Sequence, residues 1–200
     1  MIRPPILFRG IYRDALWTVP NCVNEIFLTF DDGPHPDITP QLIELLDEHN
    51  AKATFFLLGK NVLAYPELYE QYIEKGHAIG GHSFSHLNGW RSSTKAYLDD
   101  QKKCESVFPY RLFRPPYGKM KRAQARALSL NKKIVMWDIL SKDYEAISLK
   151  KCLENVTKRI RPGSIVVFHE NEKSYKKMIP VVEKLLGYID KKEWVCRPLA

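Results

Sequence analysis

Two histidines four residues apart, His82 and His86, are the first residues in this 200-residue sequence whose types and spacing could do chemistry. Such a pair can offer two imidazole nitrogens to one divalent cation from the same side of a turn. Histidines are more often exposed or packed in a core, so the pair alone is weak evidence. Asp32 can add a carboxylate, and two imidazoles with one carboxylate leave positions free for water and substrate. These three residues are therefore predicted to form a catalytic metal site.

Asp31 directly precedes Asp32, and the two follow a short apolar segment. Adjacent carboxylates can simply close a turn or cap a helix. Beside a metal they can instead take different roles: one binds the cation, and the other accepts a proton from a nearby water. The residue types alone leave both interpretations open.

His169 and Arg114 are two further candidates. His169 ends a wholly apolar run, where it is either a core histidine or a general acid that delivers a proton near neutral pH. A general acid needs an orienting carboxylate, and Asp143 is a candidate for that role. Arg114 precedes two prolines. It could pair with a helix end, or the stiff prolines could hold it against a catalytic carboxylate.

Short β-rich segments alternate along the chain with segments whose apolar residues recur at helical spacing. These predicted elements determine where the candidate residues lie. The predicted strands cover residues 25–30, 53–58, 78–80, 111–113, 133–137, 164–168 and 193–197. The first predicted helix begins at about residue 39, and the third runs from residue 93 or 94 to about 107. The other predicted helices cover residues 66–75, 121–130, 148–160 and 176–188. This alternation favours a parallel sheet covered by helices, which is an open doubly wound sheet or a barrel of fewer than eight units.

The candidate residues follow five different predicted strands. In parallel α/β folds the carboxyl ends of the strands share one face, where active sites form. We therefore expect the candidates to converge, although they are far apart in the chain. Asp138, like Asp143, follows the fifth predicted strand, so position alone does not decide which of them accompanies His169.

Composition and charge exclude several classes of protein. The chain is 44% hydrophobic, 12% aromatic and 27% charged, which is typical of a globular domain and excludes a disordered tail, collagen or a coiled coil. No apolar run approaches the ~20 residues of a membrane span. The first residues show no secretory signal, so the default expectation is a cytoplasmic protein, with the cell envelope still open.

The net charge of +8 does not by itself indicate a nucleic-acid partner. Lysine pairs are scattered through the predicted helices, where they would form solvated faces. No helix-turn-helix, zinc-finger spacing or aromatic RNA-binding motif accompanies them. We therefore expect no nucleic-acid partner.

Five motifs occur in order and together resemble the polysaccharide deacetylases of the NodB-like carbohydrate esterase group. They are T-F-D-D-G-P at 29–34, H-S-F-S-H at 82–86, R-P-P-Y-G at 114–118, W-D-I-L-S-K-D-Y at 137–144 and I-V-V-F-H at 165–169. The resemblance implies a single-domain, distorted (β/α)7 barrel of parallel strands over residues 25–200, with residues 1–24 as an irregular N-terminal wrap. It also implies metal-dependent hydrolysis of an acetyl group on a sugar polymer or oligomer, such as peptidoglycan, chitin or poly-N-acetylglucosamine.

The resemblance also implies a role for each site residue. Asp32, His82 and His86 would bind a divalent metal, which is usually zinc in this family and sometimes cobalt or nickel. The catalytic set would consist of Asp31 as base, Arg114 holding Asp31, the Tyr117 backbone N–H stabilising the oxyanion, His169 as acid and Asp143 orienting His169.

The expected partner is a carbohydrate substrate, and we expect a monomer. Trp90, Tyr117 and Tyr144 lie in or near the loops of the predicted barrel mouth, where aromatic faces could contact sugar rings. Two alternatives remain: a related amidase acting on a small non-sugar amide, and a catalytically silent carbohydrate-binding relative. Loss of Asp31 or of a metal ligand would signal a silent relative, and all of these residues are present.

Overall fold

The computed structural model describes residues 2–200, which form eight strands, eight α-helices and two short 3-10 helices, Gly10–Tyr12 and Pro116–Gly118. The strands are β1 (Glu25–Asp31), β2 (Thr54–Leu57), β3 (Ala78–Gly81), β4 (Leu112–Phe113), β5 (Lys133–Ile134), β6 (Ile139–Leu140), β7 (Ile165–His169) and β8 (Val195–Cys196). The helices are α1 (Ile6–Arg9), α2 (Thr39–Glu48), α3 (Gly59–Ala64), α4 (Pro66–Glu74), α5 (Thr94–Glu105), α6 (Arg122–Leu128), α7 (Leu149–Thr157) and α8 (Tyr175–Asp190).

The strands pair in parallel in the order β5-β4-β3-β2-β1-β7-β6, and β8 pairs with the start of β1. The prediction of one strand over residues 133–137 is wrong. Only β5, at Lys133–Ile134, lies in this stretch, beside β4; after a break the chain forms β6 at Ile139–Leu140, beside β7. The two ends of the sheet therefore belong to one chain segment, and the sheet closes on itself. The predicted distorted (β/α)7 barrel is confirmed.

The residues before β1 help to close the barrel. Leu16 forms a parallel bridge with Val135: its N–H donates to the Ile134 carbonyl, and its own carbonyl accepts from Met136, both at 2.8 Å. Trp17 beside it is buried. Residues 16–18 thus fill the gap that the break between β5 and β6 leaves.

Asp138 lies in that break and is fully buried. Its carboxylate accepts hydrogen bonds from Arg3 at 3.0 Å and from Arg9 at 2.9 Å. The Ser164 hydroxyl donates to the same carboxylate at 3.0 Å. The N-terminal segment is therefore tied to the barrel by a buried carboxylate, and none of the hydrogen bonds that it forms within residues 2–200 involves the candidate acid His169.

Two of the helices begin at serine caps. Ser93 accepts the Ala96 N–H at the start of α5, and Ser148 accepts the Lys151 N–H at the start of α7. The longest helix, α8, buries six apolar side chains against the sheet. Within residues 2–200, no helix combines the length and apolar character needed to cross a bilayer.

Inside the barrel, side chains change from apolar to polar towards the carboxyl ends of the strands. Phe27, Phe56 and Ile165 belong to a small inner cluster of buried apolar side chains. Side chains two positions apart on a strand point the same way, so Thr29 and Asp31 follow Phe27 on the inner face of β1. Arg114 lies with its guanidinium 4.1 Å from the centroid of the Phe56 ring. The apolar floor thus supports a layer of polar side chains above it.

Candidate active site

The candidate residues converge at the carboxyl ends of the strands, as the parallel-sheet rule predicts. There they line a cleft of about 720 Å³ that contains Asp31, Asp32, His82, His86, Tyr117, Tyr144 and His169. Eight non-glycine residues among those described have a left-handed backbone, and five of these lie in loops around this cleft: Asp32, Ser83, His86, Tyr117 and Lys142. Such conformations are costly and tend to cluster where a site demands a particular side-chain direction.

Asp32, His82 and His86 form the one cluster of the described residues in which ligand atoms could share a metal ion. Asp32 Oδ1 lies 3.3 Å from His86 Nε2 and 3.7 Å from His82 Nε2. Ligands at zinc bond lengths of about 2.0–2.1 Å in a tetrahedral site lie about 3.4 Å apart, so the observed spacing suits such an ion.

The donor atoms of this cluster are also oriented for a cation. His82 Nδ1 bonds the Arg114 carbonyl at 2.8 Å, which leaves Nε2 facing the cluster. Burial and the neighbouring His86 lower the pKa of His82 from 6.5 to about 3, and burial lowers the pKa of His86 as well. Asp32 Oδ1 is buried and has no hydrogen-bond partner among residues 2–200. Neutral imidazoles beside an unpartnered carboxylate oxygen are the donor set that a divalent metal requires.

Arg114 holds the second aspartate, Asp31. The guanidinium is buried, and its Nη1 donates to Asp31 Oδ1 at 2.7 Å and to the Thr29 hydroxyl at 2.8 Å. Its Nη2 donates to the Met136 carbonyl at 2.9 Å. Asp31 Oδ2 remains on the side of the metal cluster, 4.0 Å from His82 Nε2. One carboxylate oxygen is thus fixed while the other faces the cleft.

His169 faces the cleft beside Asp31, because the two residues are register partners on β7 and β1. Its Nδ1 lies 2.8 Å from Asp143 Oδ1, and its backbone N–H donates to Asp143 Oδ2 at 2.7 Å. Burial acts to lower the pKa of His169, but the charge and hydrogen bond of Asp143, with Asp31 and Asp32 farther away, raise it to about 9. The imidazole is therefore protonated at neutral pH.

The three aromatic candidates divide between the cleft and its surroundings. Tyr117 packs on the His86 ring, and Tyr144 meets the His169 ring edge-on, with centroid separations of 4.6 Å and 4.9 Å. Trp90 is exposed and is not among the described residues that line the cleft, so its contact with substrate stays a prediction. Its indole N–H donates to the Met120 carbonyl at 3.1 Å.

Three further polar residues at the site are given no role by the sequence analysis. Thr29 supports Arg114, and its position two residues before Asp31 on the same strand face could have indicated it. Glu170 and Asn171 follow His169 at the end of β7, where the parallel-sheet rule also applies. Glu170 is buried against the Tyr72 and Thr39 hydroxyls, and Asn171 bonds Asp32.

Comparison with known proteins identifies the family. The polysaccharide deacetylase family profile matches residues 18–134. The chain belongs to the polysaccharide deacetylase family. This confirms the resemblance that the five motifs carry and the enzyme class, a polysaccharide deacetylase among the hydrolases.

Three relatives of this polysaccharide deacetylase illustrate the match. A peptidoglycan-N-acetylglucosamine deacetylase of Bacillus cereus is 34% identical over 81% of this chain, which spans only 58% of that protein. A chitooligosaccharide deacetylase of Azorhizobium caulinodans is 35% identical over 74% of each chain. The crystal structure of the Bc1960 peptidoglycan N-acetylglucosamine deacetylase, in complex with an N-oxidanyl-benzamide, superposes with a TM-score of 0.89 at 28% identity. That superposition covers 96% of this chain and 94% of the other.

Proposed function

We propose that this protein is a metal-dependent hydrolase that removes acetyl groups from the N-acetylated sugars of a polymer or oligomer. One observation carries the proposal: a carboxylate held by Arg114 and a histidine held by Asp143 face the same cleft as the Asp32, His82 and His86 cluster. An acceptor and a donor of protons beside a metal site are the groups that amide hydrolysis needs.

Asp32, His82 and His86 would hold the metal, and zinc suits two imidazoles with one carboxylate, with cobalt or nickel as alternatives. When bound, the metal would polarise the acetyl carbonyl and lower the pKa of a coordinated water. The three donor groups come from the loops after β1 and β3, so the barrel itself sets their separation.

Asp31 is the proposed general base. Arg114 occupies its Oδ1, so Oδ2 is the oxygen left to accept a proton on the side of the metal cluster. Thr29 and Met136 hold the guanidinium, so Arg114 is itself fixed where it bonds Asp31. Arg114 is therefore a positioning residue in this proposal.

His169 is the proposed general acid. An amine leaves an amide readily only when it is protonated, so the departing nitrogen needs a proton donor. With Nδ1–H donating to Asp143, the proton on Nε2 is the one that His169 can deliver. Asp143 keeps the imidazole charged and oriented.

We propose that the Tyr117 backbone N–H donates a hydrogen bond to the developing oxyanion. A backbone N–H held beside the metal cluster is suited to stabilise that negative charge. Tyr117 is the central residue of a short 3-10 turn, Pro116–Gly118, and has a φ of 61°. The turn is closed by the Gly118 N–H donating to the Pro115 carbonyl at 2.9 Å. Its left-handed conformation sets the direction of the peptide groups on either side.

The proposed substrates are N-acetylglucosamine polymers. The named relatives act on peptidoglycan and on chitooligosaccharides, and poly-N-acetylglucosamine carries the same acetylated sugar. All proposed catalytic groups come from one chain, so a monomer, which we propose as the active unit, needs no partner subunit to complete the site. The catalytic domain would comprise residues 25–200, with residues 1–24 as an N-terminal wrap.

Acetate release from a panel of polymers tests this proposal. Peptidoglycan, chitin oligomers, poly-N-acetylglucosamine and acetylated xylan would be compared, with metal content measured on the same sample. We expect about one divalent ion per chain, release from the N-acetylated members, loss of activity in chelator, and recovery on adding zinc or cobalt. Release from a small non-sugar amide alone would favour the amidase alternative. Metal-loaded protein that releases no acetate would favour a silent relative.

A further inference from the structure

Asn171, in the loop between β7 and α8, contacts the carboxylate of the metal-site aspartate. Its Nδ2 donates to Asp32 Oδ2 at 2.6 Å. The other oxygen, Asp32 Oδ1, has no hydrogen-bond partner in residues 2–200 and lies 3.3 Å from His86 Nε2. The two oxygens of one carboxylate are thus separated, one held by an amide and one directed at the imidazoles.

The orientation of the Asn171 amide is determined by the start of α8. Its Oδ1 accepts the backbone N–H groups of Lys173 at 3.1 Å and of Ser174 at 3.2 Å. Exchanging the amide oxygen and nitrogen would direct the NH2 group at two N–H donors and the oxygen at a carboxylate. The amide nitrogen must therefore face Asp32.

Other groups hold the main chain of this aspartate, so Asn171 has a separate task. The Asn61 Nδ2 donates to the Asp32 carbonyl at 2.8 Å, and the Glu170 N–H donates to the Asp31 carbonyl at 2.7 Å. Neither bond restrains rotation of the carboxylate about the Cβ–Cγ bond of Asp32. The Asn171 amide does restrain that rotation, because it engages one oxygen.

We propose that Asn171 is a positioning residue of the metal centre, which presents Asp32 Oδ1 to the metal by holding Oδ2. Partners that hydrogen-bond a ligand commonly set its orientation, and removing one typically weakens metal binding 10–100-fold. The inference rests on the proposed metal-dependent function. It adds a residue from the loop before α8 to a metal centre whose proposed ligands come from the loops after β1 and β3.

The test measures zinc affinity by competition with a chromophoric chelator, in Asn171→Ala and Asn171→Ser. Serine keeps an oxygen that can accept the N–H groups at the start of α8, but it is too short to reach Asp32. Both variants should bind zinc about 10–100-fold more weakly. Only Asn171→Ala should lower the melting temperature of the metal-free protein. Asn131→Ala, on an exposed loop, is the control and should match the wild type in both measurements.

The cobalt(II) absorption spectrum gives a second measurement that a role in helix capping would not change. Both Asn171 variants should shift the bands, because the carboxylate takes a different orientation. Wild-type zinc affinity and an unchanged cobalt spectrum in Asn171→Ser would overturn the inference while leaving the metal centre intact. Wild-type protein that binds no zinc would overturn the metal centre, and this inference with it.

Discussion

Replacing Asp143 with asparagine should disable His169 as an acid. Asp143 accepts two hydrogen bonds from His169, one from the backbone N–H and one from Nδ1–H. Asparagine has one oxygen, and the buried backbone N–H can only donate, so that oxygen must accept from it. The amide NH2 then faces Nδ1, which must become an acceptor. The imidazole is left neutral, with its proton on Nε2, and a neutral imidazole is a poor acid.

The structure sets the scale of this effect. The pKa of His169 is about 9 instead of 6.5, which corresponds to stability on the order of 3 kcal/mol. Because the folded-state pKa is raised, this stability is fully present below pH 6.5 and is lost as the pH rises towards 9. Without the Asp143 charge, burial acts to lower the pKa. In the metal-free Asp143→Asn protein, the free energy of unfolding should therefore no longer fall between pH 6.5 and 9.

The assay combines acetate release with titration of the histidines by NMR. At pH 7.5, kcat should fall about 10²-fold or more, the usual scale of a positioned acid. The alkaline limb of the pH profile should move to lower pH, and the metal content should not change. The NMR signal of His169 should titrate below its usual 6.5 in the metal-free variant.

Asp138→Asn is the matched control, since Asp138 is also a fully buried carboxylate that follows β5. It leaves Arg3 and Arg9 without their ionised partner, so the protein should lose stability, about 1–3 kcal/mol. The pH profile of the remaining activity should match the wild type. An alkaline limb that moves in Asp138→Asn and stays in place in Asp143→Asn would refute this reasoning.

Two further predictions concern the base and the cleft. Asp31→Asn should keep the metal and lower kcat by about 10²-fold or more, whereas His82→Ala should lose the metal. Equal metal loss in both, measured by elemental analysis, would contradict this division of roles. An N-acetylglucosamine tetramer should show a higher kcat/KM than the monosaccharide, because contacts of Tyr117 and Tyr144 with remote sugars can orient the reacting bond. Equal values for the two substrates would contradict an open, polymer-binding cleft.

The barrel and the place of its site could be predicted from the sequence because both depend on local patterns. A short run of Ile, Val and Phe such as residues 165–168 is typical of a buried parallel strand, and parallel strands bring their carboxyl ends to one face. The break between β5 and β6 could not be predicted from the pattern, because residues 133–137 look like one uninterrupted strand and the two-residue strand β6 has no pattern of its own. Pairing with Leu16 and burial of Asp138 divide that stretch, and both contacts come from the N-terminal segment.

The residue types capable of the chemistry were determined by the sequence alone: carboxylates, imidazoles and a guanidinium at the strand ends. Which atom meets which was decided by the tertiary structure. Asp138 and Asp143 both follow the predicted strand over residues 133–137. Only Asp143 reaches His169, which lies 26 residues away in the sequence. Asn171 lies 139 residues from Asp32, and no local pattern marks the pair. Side-chain type and periodicity are properties of neighbouring residues. A hydrogen bond instead requires a donor–acceptor distance correct to a few tenths of an ångström, and the closure of the whole barrel determines that distance.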